Sequence, residues 1–226
     1  MRILAIDTAL EACASAVLDA ASGEMLASES LAMARGHAEA LMPQIARVMD
    51  AAHCEFAELG RIAVTVGPGS FTGLRVGISA ARGLALAASK PAIGLSTLSA
   101  LAAPHVAART QEAIIAAIDA RNDQIYFQIF AANGTTVVAP RLDLAANAVR
   151  ATVMEPTVIT GSGAALLAAH WPSGAPTPRI DARAAPDIGW VARLGAAARD
   201  DGAAPKPLYL RRPDARPQDA ARLPRQ

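Results

Sequence analysis

Apolar runs and polar breaks follow one another along this chain as strand, hairpin and helix, and the same succession then recurs. Residues 2–6 form an apolar run that ends on Asp7, and residues 13–18 form its hairpin partner, closing near Ser22-Gly23. Ile62-Ala63-Val64-Thr65-Val66 is a β-branched run that predicts a buried strand, and residues 72–88 predict a helix of small side chains. Between them, residues 38–53 place Leu41, Ile45, Val48 and Ala52 on one helical stripe. Pro43 lies near its start, so this helix either begins near Leu41 or bends in its first turn. In the second half, residues 114–119 are again an apolar strand ending on Asp, residues 124–130 are its hairpin partner, and Asn133-Gly134 makes the next turn. Ile3-Leu-Ala-Ile-Asp7 and Ile115-Ala-Ala-Ile-Asp119 align without a gap, the mark of an internal duplication.

Each half also carries a glycine turn after a strand: Gly67-Pro-Gly69 in the first and Gly161-Ser-Gly163, after residues 157–160, in the second. Two related α/β domains are therefore expected, residues 1–103 and a smaller unit over 104–212. The boundary should fall near residues 102–111, where Pro104 and a polar stretch interrupt the pattern. Residues 213–226 hold three prolines and three arginines with few apolar anchors and read as a mobile tail.

The most specific segment runs from Gly67 to Gly77, Gly-Pro-Gly-Ser-Phe-Thr-Gly-Leu-Arg-Val-Gly. A strand, a glycine turn and a helix can turn free N–H groups toward an anion. The familiar phosphate loops do not fit, because no Gly-Lys-Ser/Thr closes the turn and Thr72 stands where a dinucleotide fingerprint needs glycine. A phosphate cradle and a purely structural turn both remain open, the second being the commoner. Gly73, Gly77, Ala81 and Ala85 recur at intervals of four, which lets another backbone approach that face closely. Glycine inside a helix costs roughly 1 kcal/mol, so close packing must offset it.

Composition narrows the chemistry. The 226 residues are 53% hydrophobic, enough for substantial cores. A formal net charge of +1 and 4% aromatic content provide neither the basic field nor the stacking platform of an independent nucleic-acid binder. The amino terminus lacks the apolar core of a signal peptide, no stretch suits a membrane span, and a cytoplasmic location is the default expectation. Cys13 and Cys54 are too few for a disulfide framework or a zinc site and read as small buried hydrophobes. His37, His53, His105 and His170 include no pair at ligand spacing, and His37 reads as a residue that caps, packs or lies at an interface. Ser70 is not in a nucleophile elbow and should bond the loop backbone. Asp7 and Asp119 each end a first strand, the placement by which actin-like ATPases and sugar kinases hold a metal-bound nucleotide, although strand-end Asp residues commonly cap turns.

The chain resembles the TsaB family. The resemblance runs in order through Ile6-Asp7-Thr8, His37-Ala-Glu39-Ala-Leu41-Met-Pro43, residues 65–77, and Leu95-Ser-Thr-Leu-Ser-Ala-Leu-Ala102. It continues through Asp119-Ala-Arg121 with Ile125-Tyr126, then Thr160-Gly-Ser-Gly163 and Pro207-Leu-Tyr-Leu-Arg211. It implies an α/β fold of two ribonuclease H-like domains in tandem, as in the actin-like ATPase and sugar kinase superfamily. It also implies a non-catalytic subunit, without cofactor or metal, that binds and activates TsaD in threonylcarbamoyl transfer to N6 of adenosine 37 of tRNA. TsaE is then a further partner, self-association uses the same helices, tRNA is met only through the complex, and no membrane is involved. The surface assigned to TsaD or to self-association is His37, Leu41, Ile45, Val48, Gly73, Gly77 and Ala81. A vestigial nucleotide cleft is assigned to Asp7, Thr8, Gly67, Gly69, Ser70, Asp119, Gly161 and Gly163. Ala9 departs from the family's usual hydroxyl residue after Asp-Thr, which weakens phosphate handling at Asp7. An older view of the family as glycoproteases finds no nucleophile system or metal pair here. The alternative function is an ATP-dependent phosphotransferase built on Asp7, Asp119 and the two glycine turns.

Overall fold

A computed structural model of the chain describes residues 1–151 and 157–211; the tail expected at 213–226 lies outside the described residues. β1 (Arg2–Asp7), β2 (Ala12–Asp19) and β3 (Glu24–Ala32) form an antiparallel meander. β4 (Leu59–Gly67) pairs parallel with β1, and β5 (Ala92–Ser96) pairs parallel with β4, giving the order β3-β2-β1-β4-β5. The second sheet repeats this plan. β6 (Ala113–Asp119), β7 (Gln124–Phe130) and β8 (Thr136–Leu144) form its meander, and β9 (Thr157–Thr160) and β10 (Arg179–Asp181) add in parallel on the other side of β6. The duplication legible in two pentapeptides thus extends to two whole sheets of one topology, the expected pair of ribonuclease H-like domains.

β1 is the central strand of its sheet, and Ile3, Leu4, Ala5 and Ile6 are all fully buried, as a strand covered on both faces requires. On one face lie α1 (His37–Ala51) and α2 (Phe71–Ala88). Leu41, Ile45 and Val48 from α1 and Leu74, Ile78 and Ala81 from α2 pack there with Leu4, Ile6, Ile62 and Val64. Helix α1 begins at His37 and runs through Pro43 without ending. On the other face lie α3 (Thr97–Ala107) and α6 (Ile188–Ala197), whose Ile188, Val191 and Ala192 pack with Ile3, Ala5 and Ala63. Gly195 permits this approach, since a Cβ there would lie 2.3 Å from the Cβ of Ala63. Two short helices, α4 (Ala145–Arg150) and α5 (Ala164–Ala169), cover the second sheet.

Two expectations are corrected. The division at 103/104 falls inside α3, and α6, expected with the second half, completes the first domain's core, because sheet one has an apolar face that α3 alone does not cover and α6 returns to fill. The surface assigned to a partner is also wrong as placed. Leu41, Ile45, Val48 and Ala81 are core residues with at most 2% exposure, and His37, Gly73 and Gly77 are buried as well. The close approach that Gly73 and Gly77 of α2 permit is internal. A Cβ at Gly73 would lie 2.1 Å from the carbonyl oxygen of Thr8, and one at Gly77 would lie 2.4 Å from its Oγ1.

Candidate functional site

The β1–β2 turn, the Gly67–Ser70 turn and the β6–β7 turn meet at a cleft of about 660 Å³. Its walls include Leu10, Glu11, His37, Gly69 and Ser70 from the first half and Asp119, Arg121, Tyr126 and Ser162 from the second, with Arg211 arriving from the C-terminal segment. Of the residues assigned from sequence to a nucleotide cleft, Gly69, Ser70 and Asp119 therefore line it. Asp7 and Thr8 are sealed beneath it, and Gly67, Gly161 and Gly163 form its supporting turns. His37, assigned to a partner surface, stands in the cleft wall with Nε2 3.2 Å from the carbonyl oxygen of Leu10.

The glycine turn is bound to its own domain. Ser70 N–H donates to the carbonyl of Ala9 at 2.8 Å, and a Cβ at Gly69 would lie 2.3 Å from that same oxygen. Gly69 is therefore needed because the turn rests on the β1–β2 turn. Ser70 accepts from Gly73 N–H at 3.3 Å, so the hydroxyl caps α2, as its position suggested. The second half repeats the arrangement: Gly163 N–H donates to the carbonyl of Ala117 at 3.0 Å, and a Cβ at Gly161 would lie 2.2 Å from that oxygen.

Asp7 is fully buried. Its Oδ1 accepts from Thr65 Oγ1 at 2.5 Å and from Ala9 N–H at 3.1 Å, while Oδ2 has no hydrogen-bond partner among the described residues. Burial pushes this carboxyl above the usual carboxylate range, against the opposing hydrogen bonds and the more distant His37. Nearby, Cys13 donates through Sγ to Gln44 Oε1 at 3.4 Å, and burial pushes its thiol up to about 11. A carboxyl enclosed in this way does not present an oxygen to a metal-bound nucleotide. Glu11 adds an exposed carboxylate to the same wall, and no three His, Cys, Asp or Glu side chains converge as a metal site among the described residues. The residues present do not fit a magnesium nucleotide held by the strand-end acids. Asp119 differs from Asp7: it is exposed, and its Oδ1 accepts Arg121 N–H at 2.7 Å, the turn-capping role open to strand-end Asp.

Three consecutive residues of the β6–β7 turn, Arg121, Asn122 and Asp123, have positive φ of 65°, 53° and 55°. None is glycine, and such backbone is sparsely populated by other residues. Arg121 lines the cleft from this turn. Glu11 and Ser162 were not singled out from the sequence. Their only signal was position, beside a strand-end Asp and inside the second glycine turn.

Residues 27–165, more than half of the chain, match the family model described as TsaD: tRNA N6-adenosine threonylcarbamoyltransferase. The tRNA threonylcarbamoyladenosine biosynthesis protein TsaB of Escherichia coli strain K12 is 39% identical over 127 residues. The chain belongs to the TsaB family. That alignment covers 56% of the chain and 54% of the E. coli protein, so it spans about half the length of the curated relative. An uncharacterized protein of Mycobacterium tuberculosis strain H37Rv is 31% identical across 95% of this chain and 94% of its own. Among solved structures, YeaZ from Pseudomonas aeruginosa superposes with a TM-score of 0.79 at 28% identity, covering 92% of this chain and 99% of that one. The family's fold thus extends over nearly the whole chain.

Proposed function

We propose that this chain is a non-catalytic subunit in the formation of threonylcarbamoyladenosine at position 37 of tRNA, where it docks on and activates a TsaD-type transferase. The observation that carries the reading is the closure of Asp7 and Gly69. The acid is sealed by Thr65 and Ala9, and the glycine turn is spent on the carbonyl of Ala9. For the alternative, an ATP-dependent phosphotransferase, to operate, Asp7 would have to face the cleft and the turn at Gly69, which lines it, would have to be free of Ala9. No helix among the described residues is long and apolar enough to cross a membrane.

The partner surface belongs on the outward side of α1 and α2. Met42 is 46% exposed there, and Gly83 and Leu86, the latter 83% exposed, lie on the open side of α2. Gly83 has nothing within 4 Å of the position of a Cβ and no positive φ, so neither packing within the chain nor backbone geometry calls for glycine. An exposed mid-helix glycine lets a second helix approach closely, as bundle packing between subunits needs. Omitting the chain from a reconstituted modification reaction tests the role, and a substitution at Gly83 tests the surface.

A further inference from the structure

The segment 205–211 lies across both halves of the molecule. Its start packs on β5, where a Cβ at Gly94 would lie 3.5 Å from Pro205 Cβ. Leu208 N–H then donates to the carbonyl of Val66 at 2.7 Å, and a Cβ at Gly67 would lie 2.9 Å from the carbonyl oxygen of Leu208. Gly67, in the most specific stretch of the sequence, is thus matched to Leu208 in the last motif of the chain. Tyr209 stacks on Phe71 with ring centroids 5.1 Å apart, and its hydroxyl accepts Arg75 Nε–H at 3.2 Å. The Arg75 guanidinium also sits 3.8 Å from the Phe71 ring centroid. Two residues on, Arg211 Nη2 donates to Gln124 Oε1 on β7, on the far side of the cleft.

We propose that residues 205–211 form a latch that holds the two halves together across the cleft, with Tyr209 coupling the surface of α2 to the Arg211–Gln124 bridge. The segment is anchored to the first half at Val66, Phe71 and Arg75 and reaches the second half through Arg211. The covalent links between the sheets are α3 with the short loop after it and residues 182–187, which run from β10 to α6 on the first sheet; both lie away from Arg211 in sequence. Phe71 and Tyr209 are each 41% exposed, so a subunit resting on the N-terminal end of α2 would cover the stack and fix the latch. That last step rests on the subunit-docking reading; the latch itself does not.

The test uses the full isolated chain, with spin labels on Ser28→Cys and Thr135→Cys, both exposed and one on each half, while Cys13 and Cys54 stay buried. Pulsed electron paramagnetic resonance reads the distance between labels, and cooperative thermal unfolding confirms that each variant is folded. Tyr209→Ala and Gln124→Ala are each expected to broaden the distance distribution and extend it to longer distances. If neither changes it, there is no latch. A change with Tyr209→Ala alone means that lost packing acts without the bridge, and a change with Gln124→Ala alone means that the bridge is uncoupled from α2; either result overturns the proposal. No partner subunit is present, so failure here leaves the docking reading standing, and failure of docking leaves this result standing.

Discussion

The hydroxyl of Thr8 donates to the carbonyl of Gly73 at 2.7 Å, tying the turn after β1 to the first turn of α2. One turn later, Gly77 leaves room for that same hydroxyl. These contacts turn the small-residue face of α2 inward. Gly77→Leu therefore should not act on a partner but on the fold, with a loss of about 3 kcal/mol or outright failure to fold. Thr8→Val removes one buried hydrogen bond and should cost about 1 kcal/mol. Chemical denaturation measures both, and a Gly77→Leu protein of unaltered midpoint contradicts the packing described.

Asp7 sets a pH dependence of definite sign. Its folded-state proton affinity is raised by burial, so above the ordinary carboxylate pKa of about 3.9 the unfolded chain releases a proton that the native protein retains. The stability contributed by this group is complete below that value and falls as pH rises through the elevated native pKa. Asp7→Asn keeps an acceptor for Thr65 and Ala9 and cannot titrate. Relative to the parent, it should gain stability as pH rises above the ordinary carboxylate pKa, read as a widening difference in denaturation midpoint. A difference that stays flat with pH would show Asp7 to be unshifted.

The opposite sign is expected at Asp181. Burial alone would raise its carboxyl, but the Arg183 guanidinium at 2.7 Å and the His105 ring at 2.9 Å outweigh it and hold the group below the usual range. Its contribution is present above the ordinary carboxylate pKa and disappears as pH falls through the depressed one. Asp181→Asn should lower the melting temperature at pH 7 and make little difference near pH 2. Equal losses at both pH values would rule out an ionic origin.

Gly83→Leu separates partner binding from folding. The site is open, and replacing glycine by a good helix former should stabilise the isolated chain by up to about 1 kcal/mol. The same side chain should obstruct a docked helix and weaken binding to a TsaD-type subunit tenfold or more, as measured by titration calorimetry. A more stable variant that binds as tightly as the parent moves the interface elsewhere.

Much of the fold was legible because strands and helices announce themselves by apolar period. The expected strand at 124–130 coincides with β7, that at 157–160 with β9, and the helix at 72–88 with all but the first residue of α2. The repeat Ile-x-Ala-Ile-Asp foretold the duplicated topology, with Leu4 and Ala116 at the variable position. What failed was direction. The stripe Leu41, Ile45, Val48 marks an apolar face, but periodicity cannot say whether that face meets the chain's own sheet or another protein; the sheet claimed it. β3 escaped because Glu24, Ser28, Glu29 and Ser30 on an exposed edge strand blur the alternation. Nothing local in residues 188–197 shows that α6 returns to the first sheet, because that packing is decided by Ile3, Ala5 and Ala63 far away in sequence. Gly67 and Gly69 were legible as turn glycines, but the neighbours that require glycine there, Leu208 and Ala9, were visible only in three dimensions.

The central claim, that this chain serves threonylcarbamoyl transfer without performing it, is tested most directly by omission. TsaC, TsaD, TsaE, unmodified tRNA, threonine, bicarbonate and ATP are combined with and without the chain, and modified adenosine 37 is quantified by mass spectrometry of the digested tRNA. The expected result is modification close to background without the chain and full modification on adding it back, with none from the chain and tRNA alone. Equal modification in both arms contradicts the account.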